Sequence, residues 1–205
     1  ALSSGIFYLG GGTAVQTAAG YTDSAENMYR FMLASMGPDQ ADLARRFCDD
    51  SLDHFDWLEA QGVPFERSYF PDKAVFLLST EGLLTTGNEK VWPYREIASP
   101  APRGHQVAMA GESPGAGAIT PLLARCAEAG VRATYDSIAT ALIQDEEGRV
   151  VGVVTRHEGQ LRYLKGRRAV IVTTGGFGMN RELLACHFPD LPATAAPLGT
   201  PYTDG

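Results

Sequence analysis

Residues 131–180 read VRATYDSIATALIQDEEGRVVGVVTRHEGQLRYLKGRRAVIVTTGGFGMN and contain the signals that decide the fold. Three short runs rich in β-branched residues follow one another, at residues 138–144, 149–156 and 160–165. An Asp-Glu-Glu-Gly sequence separates the first two runs, and Glu158-Gly159 separates the last two. Because short glycine-containing turns join neighbouring strands, we predict a three-stranded antiparallel meander.

The next run, Ala-Val-Ile-Val-Thr at residues 169–173, shows no alternation of polar and apolar residues. Such a run is typical of a strand that is buried on both faces of a parallel sheet. It ends in Thr174-Gly175-Gly176, and open α/β sheets bind ligands where their parallel strands end. Before the meander we predict a helix that starts near Thr120-Pro121 and stops at Gly130, then a strand at 131–135. This order indicates an α/β unit with a right-handed crossover.

The composition is that of an ordinary globular protein: 205 residues, 44% of them hydrophobic and 20% charged. The net charge of −7 argues against a nucleic acid as the main partner. The sequence has no apolar run of about 18 residues, so we expect no membrane-spanning helix. Cys48, Cys126 and Cys186 lie far apart, which favours buried reduced thiols over a metal site and predicts a cytoplasmic protein.

Further helices are predicted from caps and from the apolar period. Asp23 is the expected N-cap of one helix, which Gly37-Pro38 ends. A second helix is expected over residues 39–60. Its predicted buried side is formed by Leu43, Phe47, Phe55 and Leu58. A short helix over residues 181–187 is expected to follow a cap at Asn180.

Two stretches lack a clear period. Gly10-Gly11-Gly12 is either a flexible surface connection or a loop whose amides lie against a ligand, and the sequence leaves both readings open. Within residues 65–117 we predict a strand, an extended segment and a turn, at residues 73–78, 92–94 and 102–105. His105 has no nucleophile or carboxylate at a fixed spacing, so we interpret it as structural rather than as a catalytic base.

Four segments together resemble one family: ALSSGIFYLGGGT, PAPRGH, DSIATALIQDEEGRVVGVV and VIVTTGGFGMN. The chain resembles the FAD-dependent oxidoreductases of the fumarate reductase and 3-ketosteroid dehydrogenase group, and YLGGGT and PAPRGH are most similar to the Δ4-type steroid enzymes. The resemblance implies an α/β, Rossmann-like FAD-binding domain of the glutathione reductase type with a three-stranded antiparallel meander, incomplete at both ends. It places residues 1–176 in that domain. Residues 177–205 would begin the substrate domain and include a possible return element.

The resemblance also implies cofactor-binding residues. In the family, the loop that Leu2-Ser3-Ser4-Gly5 matches packs along the flavin ring and pyrophosphate; Ser4 departs from the usual Ser-Gly-Gly. Ala139 matches the position whose backbone reads the adenine edge. Thr173-Thr174-Gly175-Gly176 matches the segment that approaches the dinucleotide, and Asp204 matches the return element. The candidate FAD-binding residues are therefore Leu2, Ser3, Ser4, Gly5, Ala139, Thr173, Thr174, Gly175, Gly176 and Asp204.

The implied activity is hydride transfer between flavin N5 and a carbon next to a ketone, with a 3-ketosteroid as the expected substrate. The partners would be this small molecule and an electron acceptor, with FAD held non-covalently. The dinucleotide fingerprint G-x-G-x-x-G is missing from the sequence, and the family places its catalytic residues mainly beyond Gly205, so no catalytic residue is assigned. Two alternatives stay open: a fumarate reductase or succinate dehydrogenase-like flavoprotein acting on a small dicarboxylate, and a catalytically inactive piece that does not bind FAD.

Overall fold

The chain divides into two compact units, Ala1–Arg132 and Ala133–Gly205. The computed structural model describes residues 3–75 and 77–191. Leu2 and Asp204, two of the candidate cofactor residues, lie outside the described residues. Each unit is considered by itself below. Among the described residues, no helix is both long and apolar enough to cross a membrane.

The first unit contains six described helices and one 3₁₀ turn. These are α1 (Ala14–Ala18), α2 (Ala25–Met36), the 3₁₀ turn (Pro38–Gln40), α3 (Ala41–Asp49), α4 (Ser51–Ala60), α5 (Tyr94–Ile97) and α6 (Ala116–Glu128). Helix α2 ends at Gly37 as predicted, but its N-cap is Ser24, whose side chain accepts from the Asn27 amide. The prediction that Asp23 caps α2 was wrong because the Asp23 carboxylate is turned inward to an ion pair with Arg103.

The helix predicted over residues 39–60 is two helices, α3 and α4, which meet at Asp50. The backbone at Asp50 has φ −84° and ψ −5°, and this break resets the helical phase. Phe55 and Leu58 are buried on α4 as predicted, but Leu43 and Phe47 are 65% and 37% exposed. Ala44 and Cys48 occupy the buried side of α3 instead.

Four short strands form a mixed sheet in the first unit, in the order β1-β4-β3-β2. They are β1 (Ile6–Tyr8), β2 (Tyr69–Lys73), β3 (Leu83–Thr85) and β4 (Gly104–Gln106). Strand β4 pairs antiparallel with both β1 and β3, whereas β2 runs parallel to β3. One row of paired residues crosses the sheet, from Phe7 through His105 and Leu83 to Tyr69.

Three predictions within residues 65–117 were wrong. The strand expected at 73–78 lies earlier, at Tyr69–Lys73, and the extended segment expected at 92–94 leads into α5 after a cis Trp92-Pro93 bond. The turn expected at 102–105 instead leads into β4, a central strand of the sheet. Gly104 made this segment read as a turn, but it is there for packing, since a Cβ at this position would stand 2.7 Å from Cγ2 of Thr86.

The core of the first unit lies between the sheet and helices α1, α4 and α6. Its buried members are Leu9, Val15, Phe55, Leu58, Val63, Phe65, Leu83, Val107 and Ala118. Helix α6 starts at Ala116, four residues before the predicted start, so Pro121 lies inside the helix. The predicted stop at Gly130 is confirmed, and its φ of +73° is the left-handed conformation expected after a helix end.

The second unit contains the predicted meander. Its strands are β5 (Ser137–Gln144), β6 (Val150–His157) and β7 (Gln160–Lys165), paired antiparallel in chain order. The tight turn between β6 and β7 has φ +49° at Glu158 and +78° at Gly159, as a type I′ hairpin turn requires. Helix α7 (Arg181–His187) follows the predicted cap, because Asn180 Oδ1 accepts from the amides of Glu182 and Leu183.

Two strands that the sequence predicts on either side of the meander do not form. Residues 131–135 and 169–173 have no regular secondary structure. Ile171 is 85% exposed and Val172 is 59% exposed, although their run reads as a doubly buried strand. A parallel strand exists only between neighbours that share its hydrogen bonds, and no described strand pairs with this run. The fold is therefore α/β, with a mixed four-stranded sheet and an antiparallel three-stranded sheet.

The cysteines only partly follow the sequence prediction. Cys48 is buried, and burial raises the pKa of its thiol to about 11. Cys126 and Cys186 are exposed, so the prediction of burial was wrong for these two. Both sit on helices, and an apolar helical pattern does not by itself say which side of the helix a small residue occupies.

Candidate functional site

The loop at residues 3–5 connects three parts of the first unit. Ser3 Oγ accepts from the Gly5 amide at 3.2 Å, and the Ser3 carbonyl accepts from the Gly115 amide at 3.0 Å. The Gly5 carbonyl accepts from the Val107 amide at 3.0 Å, directly after β4. The loop is thus fixed between the start of β1, the end of β4 and the N-cap residue of α6, Gly115.

Gly5 is required at its position for two reasons. Its φ is +65°, in the left-handed region that favours glycine. An added Cβ would also lie 2.8 Å from the Gly115 nitrogen and 2.9 Å from the Pro114 carbonyl carbon. Backbone therefore packs directly on backbone at this point. Between the two fixed residues, Ser4 is half-buried and makes no hydrogen bond within the described part of the chain.

The glycine loop at residues 10–12 directs its amides inward. Gly10 donates to Ser51 Oγ at 2.9 Å, Gly11 to Asp23 Oδ2 at 3.3 Å and Gly12 to Gln16 Oε1 at 3.0 Å. These three amides already donate to side chains of the protein, so they are not available to bind the phosphates of a ligand. Of the two readings of this loop, the ligand-facing one is wrong for its amides, and the loop is fixed rather than a flexible connection.

Beneath that loop lies a buried ion pair that sequence reasoning missed. Arg103 Nε and Nη2 each donate to one oxygen of the Asp23 carboxylate at 2.9 Å, and both side chains are fully buried. Asn27 and Gln16 donate to the same carboxylate at 2.9 Å and 3.2 Å. Burial on its own raises the pKa of Asp23, but the hydrogen bonds and charge of Arg103 outweigh it and hold that pKa below its usual value.

His105 is enclosed next to this ion pair. Its Nδ1 lies 3.0 Å from the Arg103 carbonyl oxygen and its Nε2 lies 2.7 Å from Thr13 Oγ1. A carbonyl oxygen only accepts, so we assign the proton to Nδ1, and Nε2 then accepts from the Thr13 hydroxyl. Burial against Phe55 and its neighbours lowers the pKa of His105 to about 4. A neutral histidine with both nitrogens occupied is a structural residue.

Tyr8, the last residue of β1, is also packed rather than presented to a ligand. Its hydroxyl donates to Glu89 Oε1 at 2.8 Å, and Glu89 is buried. Burial, followed by the charge of Glu89, raises the pKa of Tyr8 well above its ordinary value. The sequence could not have identified this pair, because the two residues are 81 positions apart.

The candidate residues of the second unit lie on accessible backbone. Ala139 is exposed on β5, opposite Thr155, and the register of β5 with β6 shifts immediately afterwards, between Ala139 and Ala141. A bulge of this kind leaves one residue outside the regular ladder, here Thr140. A small, exposed side chain next to a bulge leaves room for the edge of a purine base to lie against the strand.

The segment at residues 173–176 is exposed over its whole length. Gly175 has φ +81°, and a Cβ at Gly175 or Gly176 would meet nothing within 4 Å. A bulky dinucleotide could approach this backbone closely, which is the fit expected of an FAD-binding segment. The structure thus places Ser3, Ser4 and Gly5 in the first unit, and Ala139 and residues 173–176 in the second.

The chain is similar to known proteins over most of its length. A solved structure of 3-ketosteroid-Δ4-(5α)-dehydrogenase from Rhodococcus jostii RHA1, in complex with 4-androstene-3,17-dione, is 37% identical with a TM-score of 0.94; the match covers 100% of this chain and 43% of that one. A 3-oxo-5α-steroid 4-dehydrogenase of Comamonas testosteroni is 28% identical over 158 residues, 74% of this chain and 29% of that protein. The probable fumarate reductase of Shewanella frigidimarina is 26% identical over 182 residues, 88% of this chain and 26% of that protein.

This chain therefore spans between a quarter and a half of the length of these relatives. The family model of the FAD binding domain matches residues 1–205. The chain belongs to the FAD binding domain family, whose relatives here are dehydrogenases and reductases, and its cofactor is FAD.

Proposed function

We propose that the protein is an FAD-dependent oxidoreductase that acts on a carbon–carbon bond next to a ketone, with a 3-ketosteroid as substrate. The observation that carries this proposal is the similarity to the 3-ketosteroid-Δ4-(5α)-dehydrogenase, which extends over the whole chain with a TM-score of 0.94. The Comamonas testosteroni 3-oxo-5α-steroid 4-dehydrogenase supports the same substrate class over 74% of the chain. The electron acceptor would be a separate partner, and we propose the cytoplasm as the location.

The proposal assigns the candidate residues to parts of the cofactor. Residues 1–176 would belong to a glutathione reductase-type FAD-binding domain, and residues 177–205 would begin the substrate domain. Residues 2–5 would lie along the flavin ring and pyrophosphate, Ala139 would offer backbone groups to the adenine, residues 173–176 would admit the dinucleotide, and Asp204 would belong to the return element. The fixed hydrogen bonds of Ser3 and Gly5 and the open backbone at Gly175 and Gly176 support these roles.

Bound FAD supplies hydride transfer at its N5 atom. The protein's own contribution is to hold the ring in one orientation and to exclude water from it. The residue 3–5 loop suits this task because both its ends are hydrogen-bonded to other elements of the first unit. His105 and Tyr8 would not move protons of the substrate, because their polar atoms are already paired with Thr13, Arg103 and Glu89.

The alternative substrate is a small dicarboxylate, which the probable fumarate reductase favours by its match over 88% of the chain. A dicarboxylate needs guanidinium groups that are free to pair with its charges. Arg103, the residue before β4, is fully buried and bonded to Asp23, so its guanidinium is not free to pair with a dicarboxylate. A catalytically silent piece that binds no FAD is the remaining alternative.

The first experiment is to add FAD to the purified protein, desalt it and record its absorption spectrum. A retained flavin that is bleached with a 3-ketosteroid substrate series, and not with succinate, is the expected result. Bleaching by succinate, or reoxidation by fumarate alone, would favour the dicarboxylate alternative. A colourless protein would refute the flavoenzyme proposal.

A matched pair of variants tests the adenine assignment. Ala139 and Ala141 are both exposed, but they pair with consecutive residues of β6, Thr155 and Val154, so their side chains lie on opposite faces of the sheet. Ala139→Phe should weaken FAD binding by roughly tenfold or more, which corresponds to about 1.4 kcal/mol. Ala141→Phe should leave the affinity unchanged. Equal affinities for the two variants would contradict the assignment of Ala139.

A further inference from the structure

The residue 3–5 loop and the start of α6 exclude each other's side chains. A Cβ at Gly5 would meet the backbone of Pro114 and Gly115 at 2.9 and 2.8 Å. A Cβ at Gly115 would meet Ser3 Cβ at 2.7 Å and the Ser3 carbonyl oxygen at 3.0 Å. The contact is therefore reciprocal. Each segment needs a glycine because the other presses against it.

Hydrogen bonds lock this contact in one arrangement. The Gly115 amide donates to the Ser3 carbonyl, and the Gly5 amide donates to Ser3 Oγ. Ser3 and Gly5 are thus both committed, whereas Ser4 between them makes no hydrogen bond within residues 3–75 and 77–191. Ser4 therefore keeps an amide and a hydroxyl for a ligand.

We propose that Pro114-Gly115 is a positioning element that holds Ser3 and Gly5 so that the Ser4 amide and hydroxyl bind the flavin. This inference rests on the proposed assignment of the residue 3–5 loop to FAD. The Ser4 hydroxyl is the cofactor contact that glycine could not supply. Gly115 acts only through Ser3 and touches neither cofactor nor substrate.

Gly115 allows a clean test because its backbone tolerates any residue. Its φ of −54° and ψ of −23° are ordinary helical values, so alanine at this position adds no backbone strain. The three atoms nearest to the new methyl group of Gly115→Ala all belong to Ser3, so we expect its effect on FAD binding to act through Ser3. Gly117 is the matched control in the same helix. A Cβ there would meet Val107 Cγ1, also at 2.7 Å, and its three nearest atoms all belong to the side chains of Val107 and Met109. The residue 3–5 loop is held by the backbone amide of Val107 and not by that side chain.

The experiment compares Gly115→Ala, Gly117→Ala and Ser4→Ala in the protein carrying its FAD. Gly115→Ala should raise the Kd for FAD by roughly tenfold and change the visible circular dichroism of the bound flavin. Gly117→Ala should lower Tm and leave both flavin readouts unchanged. Ser4→Ala should raise the Kd with an unchanged Tm.

Two results would overturn the inference: equal flavin readouts for Gly115→Ala and Gly117→Ala, or a Kd for Ser4→Ala equal to that of the unmodified protein. If Gly115→Ala does not fold, Ser4→Ala and hydrogen exchange at the Gly115 amide decide together, since the Ser4 hydroxyl bonds to no other residue within 3–75 and 77–191. A protein that binds no FAD at all contradicts the proposed function instead. In that case slow hydrogen exchange at the Gly115 amide would still show that its hydrogen bond to the Ser3 carbonyl holds the two segments together. Fast exchange would refute this contact.

Discussion

His105 should make the stability of the first unit depend on pH between about 6.5 and 4. Burial lowers its pKa in the folded protein to about 4, from an ordinary value of 6.5. The unfolded chain therefore binds more protons than the folded chain throughout this window. The neutral imidazole stabilises the fold fully above the unfolded pKa, and this stabilisation is lost as the pH falls towards the folded pKa.

The size of the effect follows from the two pKa values. A full shift from 6.5 to about 4 corresponds to roughly 3 kcal/mol, and at pH 5 about 2 kcal/mol of it should already be lost. The lowered pKa of Asp23 adds to acid sensitivity, because that carboxylate also stabilises the fold only while ionised. The stabilisation that Asp23 contributes is lost mainly below pH 3.8, the ordinary pKa of this group in the unfolded chain. At pH 5 and above the contribution of Asp23 is therefore almost fully retained, and the His105 contribution dominates the change.

The assay is urea unfolding at pH 7.5 and pH 5.0, followed by tryptophan fluorescence. His105→Gln keeps one donor and one acceptor for Arg103 and Thr13 but cannot be protonated, so its free energy of unfolding should lose this pH dependence. His54→Gln replaces an exposed histidine of α4 and is the control.

Retention of the full pH dependence by His105→Gln would refute the reasoning. So would an NMR titration of the His105 ring in the folded protein with a midpoint near 6.5. If His105→Gln does not fold, the ring titration decides the matter without it.

Three further perturbations test the packing. Arg103→Met should lower the free energy of unfolding by about 3–5 kcal/mol, because it leaves the buried Asp23 carboxylate without its partner. The double variant Arg103→Met/Asp23→Leu should lower the free energy of unfolding by less. A larger decrease in the double variant would contradict this reasoning. Gly82→Ala should cost about 2 kcal/mol or more, since its Cβ would overlap the Glu66 carbonyl oxygen, and an unchanged Tm would show that the contact yields. Asn180→Ala should lower the free energy of unfolding by about 1 kcal/mol and speed hydrogen exchange at the capped amides of α7. Asn180→Asp keeps an acceptor oxygen and should leave both unchanged. Equal exchange rates in the two variants would argue against the cap.

Local signals in the sequence were sufficient for the meander and for the cap of α7. The meander follows from β-branched runs and glycine turns, and Gly159 and Asn180 act within a few residues of their own positions. The stop of α6 at Gly130 is equally local. These elements could be predicted because each one is determined by its own segment of chain.

The first unit was harder because its decisive contacts are distant in sequence. Arg103 and His105 read as part of a turn around a glycine, yet they are buried by Asp23 and Thr13, 80 and 92 residues away. Nothing near Arg103 in the sequence indicates its partner.

The strand predicted at residues 169–173 of the second unit was wrong for another reason. Its sequence has the pattern of a buried strand, but a strand also needs neighbouring strands to pair with.

The candidate site shows the same division. The resemblance supplied Ser3, Ser4 and Gly5 from their own motif, whereas the role of Gly115 depends on a contact across the unit. A sequence motif can indicate the residues that contact a ligand, whereas a residue that holds them in place, such as Gly115, is identified from the contacts in the structure.

The pairing of β1 with β4 has a consequence for the order of folding. Ile6 pairs with Gln106, so this edge of the sheet closes a loop of roughly 100 residues, an entropic cost that must be met before the contact stabilises anything. The strands of the meander are joined by short turns and can form within about 1–10 μs. We expect the second unit to acquire structure first. The residue 3–5 loop, which is held by β4 and α6, would then be among the last parts of the chain to take shape, so cofactor affinity should appear only at the end of refolding.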